Sequence, residues 1–402
     1  MKKKPAHLHP ADLRALARLS TDAAAGLTDL VEALHLGIAG PPDPDAPERA
    51  GGIAPLTYRT IRGMTRLVGG GVEAGLSRLT PLLGEREPTP QRATVMAALN
   101  GVWGDYLVES GNPLATAMSF WHNGVTLVLE REALAGVFGA GDPAAPGDRL
   151  AVLLHGLCMD ERCWNGHGPA LARDLGYVPL AVRYNSGRHI SSNGRELADH
   201  LEALVQAWPR PVAEIALIGH SMGGLVARSA CYYGAAAGHT WRLHLRALVC
   251  LGAPHHGAPL ERGGNWVNVV MDASPYSAPF TRLGKRRSAG ITDLRHGSVI
   301  DEDWSGRDRF AHGPDERHVV PLPDAVRCYA LAATTSIRPG GLRDRLLGDG
   351  LVPVASALGQ HADARRSLAF PEEHRWVGYG MSHLDLLRRP EVYERLREWL
   401  GS

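Results

Sequence analysis

The sequence predicts an α/β protein: a mainly parallel sheet with flanking helices and a cap insertion, preceded by a helical N-terminal extension. Three observations predict it. Short apolar runs at 150–154, 178–182, 213–218, 247–251 and 328–333 alternate with helical patterns such as Glu196 to Ala207. A serine stands between glycines where one of these runs passes into a helix, in Leu217-Ile218-Gly219-His220-Ser221-Met222-Gly223-Gly224. Before residue 115 the pattern is helical and broken by a proline-rich linker.

Residues 11–38 read as a helix, with Leu13, Leu16, Leu19, Leu27, Leu30, Val31 and Leu34 recurring at three and four. The segment Gly40-Pro41-Pro42-Asp43-Pro44-Asp45-Ala46-Pro47 ends it. A second helical stretch, 56–83, aligns Ile61, Met64, Val68, Val72, Leu76, Leu79 and Leu83 in one stripe and places Arg59, Arg62 and Arg66 at its start. Gly63, Gly69, Gly70, Gly71 and Gly75 weaken it as an isolated helix. It reads as a packing helix whose glycines admit a close neighbour, or as an amphipathic surface making peripheral contact with anionic lipid; the first is preferred. A third helix, 90–106, leads to Asn112-Pro113-Leu114, after which Gly124 to Leu129 has the look of a strand. The boundary is therefore placed near residue 115, between a helical region, 1–115, and a catalytic domain, 116–402.

The strand ending at Leu154 runs into His155-Gly156-Leu157, and the strand of 178–182 into Arg183-Tyr184-Asn185-Ser186-Gly187. In an open parallel sheet such carboxyl ends face the ligand, so Tyr184 and Asn185 are candidates for lining a pocket. The third such end carries Ser221, on a strained strand-to-helix turn that needs Gly219 and Gly223 for close backbone approach. Leu225, Val226, Ser229 and Ala230 then continue at helical spacing. From 258 to 323 lies a long insertion, with Trp266, Val267, Val269, Val270, Met271 and Tyr276 early, which reads as a cap or lid over an apolar pocket.

An unassisted serine hydroxyl is a poor nucleophile and requires a base, a carboxylate to orient that base, and donors for the developing oxyanion. Chain order Ser, acid, His selects Asp349, flanked by Gly348 and Gly350, and His383, on the loop entering the last helix. Asp344 and Asp324 compete with Asp349 but sit in charged or proline-bounded surroundings. The backbone N–H groups of Leu157 and Met222 are the expected oxyanion donors, with His155, Gly156, Gly219, His220 and Gly223 in support.

Composition narrows the classes. Lys+Arg 43 against Asp+Glu 42 leaves a formal charge of +1, with no basic stripe, so nucleic acid is not an expected partner. Met1-Lys2-Lys3-Lys4 is followed by no apolar segment, and no window supplies about 18 uninterrupted apolar residues, so the expectation is a cytoplasmic protein, peripheral to a membrane only if 56–83 lies on lipid. Cys231, Cys250 and Cys328 read as core residues; Cys158 and Cys163 are open to a bridge or to free thiols, the latter expected in a reducing compartment. His155, His220, His255 and His256 invite a metal reading, but no metal-ligand spacing is present, and neither metal nor cofactor is expected. Nothing in the sequence sets the oligomeric state.

Five segments occur in order: HGL at 155–157, GHSMGG at 219–224, LGAPHHGAPL at 251–260, GDGLVPVASA at 348–357 and GMSHLDLL at 380–387. With them the sequence resembles the α/β-hydrolase superfamily, and within it the bacterial serine lipase/esterase type. The segment Leu251 to Gly257 is similar to the loop after the corresponding strand in triacylglycerol lipases and GPI inositol-deacylase-like hydrolases. The resemblance spans roughly 120–400 and does not extend to the N-terminal region. It implies an α/β-hydrolase fold and an acyl-ester or lipid substrate; His255 and His256, in that loop, are candidates for binding it. Certain secreted lipases of this type hold a structural metal, and no residues here match that site. The expected activity is hydrolysis of lipid-like carboxylic esters through an acyl-enzyme on Ser221. The alternatives are an acyltransferase using the same three residues and a non-catalytic lipid- or partner-binding module.

Overall fold

A computed structural model describes residues 90–139, 147–258, 287–310, 315–337 and 348–401. The helices expected at 11–38 and 56–83, and residues 259–286 and 311–314 of the insertion, lie outside the described residues. The chain divides into two compact units, one of 1–93 with 107–115 and one of 94–106 with 116–402; the second contains the sheet.

Six strands run parallel in this sheet: β3 (Arg149–Leu154), β4 (Val178–Arg183), β5 (Glu214–His220), β6 (Leu245–Leu251), β7 (Arg327–Thr334) and β8 (Arg375–Tyr379). Two short strands, β1 (Ser119–His122) and β2 (Val125–Thr126), join antiparallel beyond β4, giving the order β2-β1-β4-β3-β5-β6-β7-β8. Central strands buried on both faces must be apolar at every position, which is why they read as runs rather than alternations. Successive residues still part to opposite faces. Val152, Leu154, Leu217 and Leu248 join one core, while Ala151, Leu153, Ala216, Ile218 and Val249 join the other.

The first core is closed by α4 (Ile190–Ala207) and α5 (Met222–Ala236), through Leu197, Leu201, Leu225 and Val226. The second is closed by α3 (His167–Leu175) and α8 (Pro390–Gly401), through Leu171, Leu396 and Trp399. Earlier in the chain lie α1 (Pro90–Glu109), interrupted at Trp103, and α2 (Arg131–Phe138). Within the insertion, α6 (Ala289–Asp293) and the residues after it bring Ile291, Leu294, Val299 and Ile300 into the first core. A further short helix, α7 (Val354–Ala357), follows β7.

The parallel α/β architecture is as expected. The strand expected over 124–129 contracts to β2, because Val125 is 60% exposed and Val128 56% exposed and neither buries a face. The outer strand β1 and the edge strand β8 escape the periodicity for a related reason: each has one buried residue, Phe120 and Gly378, so no apolar run marks it. Among the described residues no helix is long and apolar enough to cross a membrane.

Candidate active site

The chain passes from β5 to α5 through Ser221, whose backbone adopts φ 55 and ψ −124, a conformation costly for any residue with a Cβ. The turn closes with Ser221 N–H donating to the Leu251 carbonyl at 2.8 Å, while the Gly224 N–H donates to the Ser221 carbonyl at 3.0 Å. A Cβ on Gly223 would stand 2.4 Å from the Leu154 oxygen, and one on Gly219 2.4 Å from the Gly223 carbonyl carbon. Both obstacles are backbone, which cannot swing aside. Gly223→Val is therefore expected to lose about 3 kcal/mol or more of stability, read by denaturant unfolding; a wild-type midpoint would contradict it.

Asp349 and His383 meet beside this turn. His383 Nδ1 lies 2.6 Å from Asp349 Oδ2, both side chains being buried. The other carboxylate oxygen accepts the N–H groups of Leu351 at 3.0 Å and Val352 at 2.8 Å. The His383 backbone is tied as well, its N–H donating to the Asp349 carbonyl at 3.1 Å. Ser382 and Asp385 form a capping box around the turn that carries it. Gly252, at φ 61, packs behind the ring, and a Cβ there would lie 3.2 Å from His383 Cε1. Among the described residues, Ser221 Oγ and His383 Nε2 are buried with no hydrogen-bond partner.

Two histidines hold the surroundings. His220 Nε2 lies 3.1 Å from the His383 carbonyl; since a carbonyl only accepts, that nitrogen carries the proton. Burial, then the neighbouring His383 ring, holds the His220 imidazole well below its ordinary pKa. His155 donates from Nδ1 to the Gly156 carbonyl at 2.8 Å and accepts the Tyr184 N–H on Nε2 at 3.3 Å, a pattern only the neutral ring can make. Its pKa is lowered by burial. With the Gly156 carbonyl engaged, the planar peptide turns the Leu157 N–H the opposite way.

These buried neutral histidines link stability to pH. In the unfolded chain they titrate near 6.5, whereas burial lowers the pKa of His155, His220 and His255, and that of His256 to about 4. Below pH 6.5 the unfolded state binds protons that the folded state refuses. Their contribution is thus complete above about 6.5 and is lost as pH falls toward the folded values, by up to about 1.4 kcal/mol per pH unit for each histidine. Thermal midpoints measured from pH 7.5 to 5 should fall steadily; a flat profile would contradict this.

Ser221, Asp349, His383, Gly156, Leu157 and His220 line one cavity of about 510 Å³. Its walls include Met159, Leu351 and Leu387, and its polar margin Asp160, Arg162, Ser382 and Arg388. Sequence reasoning missed one wall, formed by Thr94, Ala97 and Ala98 of α1. The legible signal is the row of small residues on that helix. A Cβ on Gly101 would lie 2.2 Å from Cys158 Sγ and one on Gly104 1.7 Å from Asn185 Oδ1, so the helix must pack close. Arg162 donates to Thr94 Oγ1 at 3.0 Å and pins the same wall.

The four expected substrate-binding residues do not line this cavity. Tyr184 is committed to protein, its hydroxyl donating to the His155 carbonyl at 2.6 Å with the rings stacked at 4.1 Å. Asn185 donates to the Gly104 carbonyl at 2.9 Å and accepts the Gly187 N–H at 3.1 Å. His255 and His256 line a separate small cavity. Cys158 and Cys163 are free thiols. Burial pushes the Cys158 thiol up to about 12, which disfavours its thiolate.

Residues 158–321 match the PGAP1-like α/β domain family, a span that includes the Ser221 turn within the parallel sheet already described. In fold this part of the chain is an α/β hydrolase. The family match ends before β7, so Asp349 and His383 lie beyond it. No curated protein matches the chain in sequence. Among solved structures it is similar to the mature form of a Bacillus licheniformis lipase, at 20% identity over 64% of this chain and 93% of that one, with a TM-score of 0.41. It is also similar to Aspergillus fumigatus lipase B, at 11% identity over 83% and 69%, TM-score 0.39. The Pyrococcus furiosus esterase Pf2001 follows at 16% identity over 63% and 81%, TM-score 0.38.

Proposed function

We propose that this protein is a serine hydrolase cleaving carboxylic esters of lipid-like substrates through an acyl-enzyme. One observation carries the reading: in a single cavity a serine hydroxyl and an imidazole nitrogen are both buried without a partner among the described residues, while the opposite nitrogen of that imidazole is held by a carboxylate. Burying unsatisfied polar atoms is unfavourable, and a site that does so keeps them for a reactant.

Ser221 Oγ attacks the ester carbonyl while His383 Nε2 takes its proton; collapse of the tetrahedral adduct breaks the carbon–oxygen bond, and His383 returns the proton to the leaving alcohol. Water, deprotonated by the same nitrogen, then releases the acid and regenerates Ser221. The N–H groups of Leu157 and Met222 serve as oxyanion donors, the first oriented by the His155 bond to Gly156. Ala97, Ala98, Leu157, Met159, Leu351 and Leu387 give the cavity an apolar lining suited to an acyl chain.

The test is a p-nitrophenyl ester series from acetate to palmitate on the full chain. Serine-dependent turnover that rises with acyl length is expected. Absence of such turnover on every ester would overturn the reading, and esters of an added competing alcohol among the products would mark acyl transfer instead.

A further inference from the structure

The second small cavity lies between α5, the loop after β6, the segment of Gly297 and Val299, residues 317–320, and Arg366 with Leu368. Arg228, on α5 roughly two helical turns from Ser221, is 5% exposed, and His255 is 1% exposed. Arg228 donates to the Val320 carbonyl at 2.7 Å, and its second amino group lies 3.3 Å from His255 Nδ1. A guanidinium can only donate, so His255 Nδ1 is the acceptor and Nε2 bears the hydrogen. Two buried donors are then left over: Arg228 Nε and His255 Nε2 have no acceptor among the described residues.

Charge points the same way. The cavity is lined by Arg228, Arg317 and Arg366 and, among the described residues, by no carboxylate. The nearby Asp315 is taken by Arg317 at 2.8 Å and Arg366 at 3.3 Å, and among the described residues no carboxylate pairs with Arg228. A buried cation without a counter-charge is unfavourable, and an anion relieves both that cost and the two orphan donors at once.

We infer that this cavity is a binding site for one small inorganic anion of chloride size, held by Arg228 and His255. The volume of about 20 Å³ sets the size, since one water needs about 10–15 Å³ by the same measure, so phosphate and carboxylate metabolites are too large. The ion ties the helix that begins at Ser221 to the loop that carries Gly252 behind His383. Its role is to stabilise that junction, and it takes no part in bond cleavage.

The experiment uses the full chain at constant ionic strength, with sodium chloride replacing sodium gluconate, whose anion cannot enter. Wild-type thermal midpoints should rise by a few degrees with chloride, and in proportion to the logarithm of its concentration once the site is filled, as mass action requires for one site. Arg228→Met should give the same midpoint in both salts. Crystals soaked in bromide should show an anomalous peak between Arg228 and His255. Equal wild-type midpoints in the two salts, a chloride response that survives in Arg228→Met, or a bromide map with no peak at that position would each overturn the site. Should Arg228→Met fail to fold, the wild-type titration and the bromide map decide alone.

Discussion

Ser221→Ala is expected to lower kcat on p-nitrophenyl esters by about 10⁴–10⁶-fold with the fold intact. The hydroxyl makes no hydrogen bond to the described residues, so its removal strands no partner. Alanine keeps the Cβ, and the backbone at φ 55 is no more strained than before. The thermal midpoint should therefore stay within a degree or two of the wild type, and labelling by a fluorophosphonate should disappear with the activity. Turnover within tenfold of wild type would mean that the nucleophile lies elsewhere.

Asp349→Asn is expected to cost about 10⁴-fold in kcat, through a change of tautomer rather than of position. Oδ1 of Asp349 accepts two backbone N–H groups, from Leu351 and Val352, so the amide oxygen of an asparagine must take that side. Its NH₂ group then faces His383 Nδ1, now 2.6 Å from Oδ2, and can only donate. The ring is forced to accept at Nδ1 and to carry its proton on Nε2, facing Ser221 with no lone pair to receive the hydroxyl proton. A pH–rate profile that regains activity only at strongly alkaline pH, with an unchanged circular dichroism spectrum, is the expected signature. A loss of less than about tenfold would show that the carboxylate does not set the tautomer.

The parts of the site legible in sequence are those whose constraints are local. Gly219 and Gly223 bracket Ser221 because a Cβ at either meets backbone, and that requirement is written in consecutive residues. Asp349 and His383 were reachable because glycine-flanked or helix-entry positions follow strand runs in a fixed order, although 34 positions separate them and nothing local brings them to 2.6 Å. Tyr184 and Asn185 misled because a polar residue at a strand end offers the same signal whether it meets a ligand or, as here, the His155 carbonyl and the Gly104 carbonyl.

By itself the sequence determined the parallel α/β architecture, the turn at Ser221 and the order of the residues around it, since strand burial and tight-turn sterics act between near neighbours and leave periodicity and glycine as their trace. That α1 walls the cavity, that His155 orients the Gly156 peptide, and that Arg228 and His255 are buried with donors unmatched among the described residues follows from the assembled fold. Those outcomes depend on which distant surfaces meet once the sheet is closed. A side chain's partners across 29 or 27 positions leave no periodicity to read.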